Sequence, residues 1–142
     1  MLASRVSYTA HELRLINLFE DITSTHVIDC ILEDDTIIFI IEPPSSTFSN
    51  ILSNTKILSN MLRKEIIVVV YSEDPISFTK NYFGSASVRA VKYRTTPLGE
   101  KQLIMYVEPQ HRGKVIGRGG RNAERFRKLV KRYFEISKVY IR

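Results

Sequence analysis

The chain has a single cysteine, Cys30, among its 142 residues. That excludes an intrachain disulfide and a cysteine-built zinc site, and a reducing compartment is the natural setting. Long apolar runs are missing too. The longest, Ile37–Ile41 and Ile66–Tyr71, are strand-sized and far short of the ~20 residues a membrane-spanning helix needs. Residues 1–7 contain no apolar core of a secretory signal. A cytoplasmic protein with no membrane partner is expected. Glycine is absent from the first 83 residues; all six, at 84, 99, 113, 117, 119 and 120, come later. Acid is scarce where glycine is plentiful. Residues 75–142 hold only Glu100, Glu108, Glu124 and Glu135, against sixteen Lys and Arg.

The net charge of +6 is therefore an average of two unlike halves. Residues 1–74 carry eleven acids against five bases, a balance of −6, and residues 75–142 stand at +12. Such asymmetry points to a polyanionic partner for the second half alone. A hydrophobic content of 44% supplies a core and speaks against global disorder. The length suits one ordinary domain or two small ones.

Local signals place the elements. Thr9 and Glu12 have capping-box spacing, and Leu13, Ile16, Leu18 and Phe19 follow on one face, so a helix is expected to about Asp21. Val27–Leu32 and Thr36–Glu42 read as a hairpin around Glu33-Asp34-Asp35. After Pro43-Pro44, the segment Phe48–Leu62 suits two short helices, and Ile66–Tyr71 a buried strand. The series then restarts. Asp74 caps and Pro75 opens a helix ended by Gly84. Ser85–Arg94 and Lys101–Glu108 form a second hairpin. A short helix to Ile116, a glycine turn, a helix from about Arg121 to Phe134 and a strand Lys138–Ile141 close the chain. The expected order is helix–strand–strand–helix–helix–strand, twice, with Ile41-Glu42-Pro43 and Val107-Glu108-Pro109 as matching landmarks.

The chemistry concentrates at Val115-Ile116-Gly117-Arg118-Gly119-Gly120-Arg121. Glycines at this density mark a backbone that turns sharply or meets another backbone closely. A helix N-terminus directly after the turn offers N–H groups and partial positive charge to phosphate oxygens. A dinucleotide fingerprint would need glycine or alanine at 122, where Asn stands, and a phosphate-binding P-loop would end in Gly-Lys-Ser/Thr, which is absent. Arg121, Arg125, Lys128 and Arg132 fall at i, i+4, i+7 and i+11, one stripe of the last helix; Ala123, Phe126, Val130 and Phe134 fall on a core face. A basic stripe alone is often only a solvated face. Here Arg112, Lys114 and Arg118 converge beside it.

The Gly117-Arg118-Gly119-Gly120 loop, in its setting of Val115-Ile116 and a basic helix, resembles the GXXG signature of KH domains. The element order resembles type II KH topology. With Tyr71–Pro75 at the junction, the Thr9–Cys30 opening and the Ile116–Asn122 segment, the whole chain resembles the archaeal NusA-like family. That resemblance implies an α+β protein of two tandem type II KH domains, residues 1–74 and 75–142, each a three-stranded sheet with helices on one face. It implies an RNA-binding factor in transcription termination and antitermination, with single-stranded RNA as partner and RNA polymerase or other transcription factors as further partners. Bacterial relatives carry a polymerase-binding and an S1 domain before their KH pair; these 142 residues hold neither. The expected RNA-contacting set is Arg112, Lys114, Ile116, Gly117, Arg118, Gly119, Gly120, Arg121, Arg125 and Lys128, with Val115 and Ile116 as an apolar floor for bases. Where the first copy should carry its loop it reads Ser49–Lys56, without glycine, and its segment before the last strand is about five residues shorter. A structural, acidic first domain is expected.

Nothing points to catalysis, a metal or a cofactor. His11, His26 and His111 lack ligand spacing. Cys30 reads as a core thiol and Glu33-Asp34-Asp35 as a turn. Tyr93 and Tyr106 are candidates for base stacking, though core positions explain them as well. Two other functions stand beside the first: a KH factor for ribosome assembly, and a protein-interaction module working through the acidic half.

Overall fold

A computed structural model describes residues 8–45 and 47–142. Residues 1–7, read above for a targeting segment, lie outside the described residues. The chain divides into two compact units, one ending at Ser72 and the other running from Glu73 to Arg142. It is α+β throughout, with five helices and two three-stranded sheets among the described residues. No described helix is long and apolar enough to cross a membrane.

In the first unit, α1 (Ala10–Thr23) begins at the expected capping box. The Glu12 N–H donates to Thr9 Oγ1 at 3.1 Å, and the Thr9 N–H donates to Glu12 Oε1 at 2.9 Å. The helix runs two residues past Asp21 because Ser24, at φ 54°, closes it in the left-handed region. β1 (Val27–Leu32) and β2 (Thr36–Ile41) pair antiparallel, and β3 (Glu65–Val70) lies parallel to β2, giving the order β1-β2-β3. Leu15, Ile16 and Phe19 of α1 pack on Ile37, Phe39 and Ile41, with Phe19 stacked on Phe39 at 4.3 Å and Cys30 buried in the same cluster.

The expectation of two short helices after Pro44 is corrected. Phe48–Leu62 is one unbroken helix, α2. Its polar residues do not break it, because hydroxyls fold back onto the helix itself: Ser53 Oγ donates to the Ser49 carbonyl at 3.0 Å, and Thr55 Oγ1 to the Ile51 carbonyl at 2.7 Å. Ile51 and Leu58 carry its buried side. The first unit thus has one helix where the second has two, and Ser49–Lys56 is helix interior rather than a turn.

In the second unit, α3 (Pro75–Phe83) starts at Asp74, whose carboxylate accepts from the N–H groups of Ile76 and Ser77 at 3.2 and 3.3 Å. β4 (Val88–Thr95) begins three residues later than expected, since Ser85–Ser87 form the turn out of α3. β5 (Lys101–Val107) pairs antiparallel with β4 and parallel with β6 (Ile136–Ile141), so the order is β4-β5-β6. Between β5 and β6 lie α4 (Arg112–Ile116) and α5 (Arg121–Phe134). Phe78 is fully buried, with Phe126, Tyr133 and Phe134 at 6.3, 5.7 and 5.6 Å between ring centroids. This aromatic cluster clamps α3 and α5 over the fully buried Leu103 and Met105.

The Ser77 hydroxyl, 2.9 Å from Asp74, and then the two backbone donors and Lys80 hold the Asp74 carboxyl below the usual aspartate value. Asp74→Ala should cost about 1 kcal/mol at neutral pH. A lowered native value means the contribution is complete above the ordinary aspartate range and fades as pH falls through that range and the lowered value. Urea melts of both proteins should therefore converge in acid; a gap that stays constant with pH would contradict the cap.

Candidate nucleic-acid interface

The glycine loop is a four-residue turn between two helices. α4 stops at Ile116, and the Gly117 N–H closes it by donating to the Gly113 carbonyl at 2.8 Å. Gly117 then sits at φ 79°, ψ 170°, a region essentially reserved for glycine. Arg118–Gly120 make one 3₁₀ turn in which Gly119 and Gly120 also have positive φ, 64° and 77°. The Gly120 N–H donates to the Gly117 carbonyl at 3.1 Å. α5 begins at once, and no side chain caps its N-terminus.

Space decides which glycine matters most. A Cβ on Gly117 would stand 2.7 Å from Asn122 Cβ and 2.8 Å from the Asn122 nitrogen, whereas Gly119 and Gly120 face open space. Gly117 is there for close approach, the other two for conformation alone.

The expected contact residues separate into three groups. Arg112, Lys114, Arg118, Gly119, Arg121 and Lys128 are exposed around the loop and along α5. Ile116 is half-buried while Val115 is buried, so Ile116 keeps the surface and the core takes Val115. Arg125 leaves the stripe: it is only 7% exposed, and its guanidinium donates to Asn122 Oδ1 at 3.5 Å. It shares an edge of α5 with Asn122 and the buried Leu129, which turns it inward. Arg132 sits at the far end of α5, about 20 Å from the loop, where Tyr93, Tyr133 and Phe134 line an open cleft of about 540 Å³. Tyr93 therefore does not join the loop. His111 is half-buried and paired with Ser87 Oγ at 3.0 Å. No group of three metal-ligating side chains occurs among the described residues.

Asn122 is a positioning residue that sequence reasoning missed. Its Nδ2 donates to the Val115 carbonyl at 3.1 Å and the Lys114 carbonyl at 3.5 Å, tying the end of α4 to the start of α5. Its Oδ1 accepts from the Tyr82 hydroxyl at 2.8 Å, tying both to α3. The one hint in the sequence is an asparagine directly after a glycine turn, where a small amide can reach carbonyls left over by the preceding helix.

Two substitutions separate space from conformation. Gly119→Ala should cost about 1–2 kcal/mol from its positive φ. Gly117→Ala should cost about 3 kcal/mol or more, since strain and overlap with Asn122 add. Equal costs in urea melts would remove the close approach as the governing constraint.

No protein-family model matches the chain. The chain is similar to curated proteins named probable transcription termination protein NusA. The one from Methanocaldococcus jannaschii is 26% identical over 97% of this chain and 76% of its own length. Those from Thermoplasma acidophilum and Halococcus morrhuae are 25% and 27% identical, covering 89% and 95% of this chain and 89% and 97% of their own. Among solved structures, the crystal structure of APE1850 superposes with a TM-score of 0.73 at 30% identity, covering 95% of this chain and 100% of that one. Along nearly its whole length the chain thus has archaeal NusA-like homologues at about a quarter identity, and its fold is that of APE1850.

Proposed function

We propose that the two units are tandem type II KH domains and that the second clamps single-stranded RNA at its glycine loop, as an RNA-binding factor of transcription termination or antitermination. One observation carries this reading: three positive-φ glycines turn α4 into an uncapped α5 with Arg118 and Arg121 exposed beside them. The positive end of α5 and the cations there suit phosphate oxygens, and the half-buried Ile116 suits the face of a base. Arg112, Lys114 and Lys128 extend the positive surface around the loop. Arg125 supports the loop through Asn122 instead of meeting RNA. The names of the relatives supply the transcriptional setting.

The first unit takes a structural part in this reading. α2 runs through the place where a clamp would need its turn, and the acids of this half oppose a polyanion. A protein-docking role for it has one observation in favour: Leu52, Ile57 and Met61 of α2 are exposed.

Four to six phosphate contacts should make log affinity fall with log salt at a slope of about −3 to −4. Replacing Arg118 and Gly119 together by Asp should weaken RNA binding at least about tenfold, or about 1.4 kcal/mol, in a chain that remains folded by circular dichroism. Undiminished affinity in that folded double variant would mean the glycine turn is not the RNA site.

A further inference from the structure

The second sheet has a face the glycine loop does not use. Strand alternation puts Leu103 and Met105 of β5 under the helices and sends Gln102, Ile104 and Tyr106 to the other side, where Gln102 and Ile104 are buried among their cross-strand neighbours and Tyr106 is half-exposed. Register places Ala90, Lys92 and Arg94 of β4 opposite those three, and Lys138 and Tyr140 of β6 beside Gln102 and Ile104. Contacts confirm the common face. Lys92 Nζ lies 5.8 Å from the Tyr106 ring centroid, Arg142 Cζ lies 5.7 Å from that of Tyr140, and Arg94 Nε donates to Gln102 Oε1 at 2.8 Å. Lys92, Arg94, Lys138 and Arg142 are all exposed.

This face combines two properties. It is strongly basic, and the carboxylates at its margin are engaged: Glu100 accepts from the Gln102 amide, and Glu108 pairs with Arg89 at 3.4 Å. It also carries two half-exposed tyrosines one pleat apart on neighbouring parallel strands, with cations held over or beside their rings. An acidic protein surface would use only the charge. Flat rings interleaved with cations fit a chain that alternates phosphates with aromatic bases.

We infer that the face of the β4-β5-β6 sheet opposite its helices is a second single-stranded RNA surface, with Tyr106 and Tyr140 stacking bases and Lys92, Arg94, Lys138 and Arg142 meeting phosphates. The inference deepens the proposed RNA-binding function and rests on it. A longer RNA would then engage the loop and the sheet together, gaining affinity by effective concentration.

The test uses the full chain and oligouridylates of about 4 nucleotides, the length a GXXG loop clamps, and of about 16 nucleotides, enough for a further strand-binding surface. The pair Tyr106→Leu and Tyr140→Leu should weaken the longer RNA at least about tenfold and leave the shorter unchanged. The triple variant Lys92→Gln, Arg94→Gln, Lys138→Gln, at exposed positions that do not threaten the fold, should make the salt slope for the longer RNA shallower by about 2. Ultraviolet crosslinks of the longer RNA should map to Tyr106 and Tyr140. Full affinity and an unchanged slope in the charge variant overturn the sheet surface. Displacement of the longer RNA by polyglutamate as readily as by oligouridylate also overturns it, in favour of an acidic protein partner. The Arg118→Asp, Gly119→Asp variant separates the two readings: if it alone binds both lengths normally while the sheet variants fail, the loop reading falls and the sheet stands.

Discussion

The absent methyl of Gly117 is the constraint on which the second unit's surface rests. A side chain there would overlap both the Cβ and the backbone nitrogen of Asn122. Because it is missing, α4 can end and α5 can begin with only four residues between them and Gly117 against Asn122. Only at that separation does the short Asn122 amide reach back to the Val115 carbonyl while its oxygen takes the Tyr82 hydroxyl. Those bonds hold three helices in one arrangement. The exposed arginines of the loop owe their position to it, and so does the inward turn of Arg125.

The charge distribution has a comparable economy. Most of the unit's Lys and Arg side chains lie either around the glycine turn and along α5 or on the sheet face opposite the helices, with the core between the two sets. A polyanion therefore meets positive potential on more than one side of a small unit. Such a field speeds encounter and weakens steeply with salt. The acids that are present are placed to hold protein cations: Glu124 pairs with Arg127 at 2.9 Å and Glu135 with Lys101 at 3.8 Å.

What the sequence made legible was local. Thr9 with Glu12, and Asp74 with Pro75, announce helix starts because a cap is satisfied within three residues of itself. The hairpins and the glycine turn are local in the same sense. α2 was misread because serine, asparagine and threonine resemble a break in a string of letters, while in the helix two of their hydroxyls bond one turn back. The burial of Arg125 was not legible, because periodicity assigns a residue to a stripe without saying which neighbour covers the stripe's edge. The Asn122 bond to Tyr82 spans forty positions of chain, and no spacing rule reaches that far. The sheet face opposite the helices needed the β5–β6 register, which brings Tyr140 beside Ile104 across a helical crossover.

The unbroken α2 has a consequence for the relation between the two halves. Between the proline landmark and the last strand, the first unit is about five residues shorter than the second, and that shortfall is met by a single continuous helix where the other half spends chain on a turn and a second helix. Exchanging side chains along α2 cannot create a reversal, since a straight helix has no slack from which to form one. Grafting glycines into Ser49–Lys56 would weaken the helix and expose Ile51 and Leu58, the residues that hold it to the sheet. The difference between the units is thus one of chain length, crossed only by inserting residues, and a population of point variants would leave the acidic half without such a loop indefinitely.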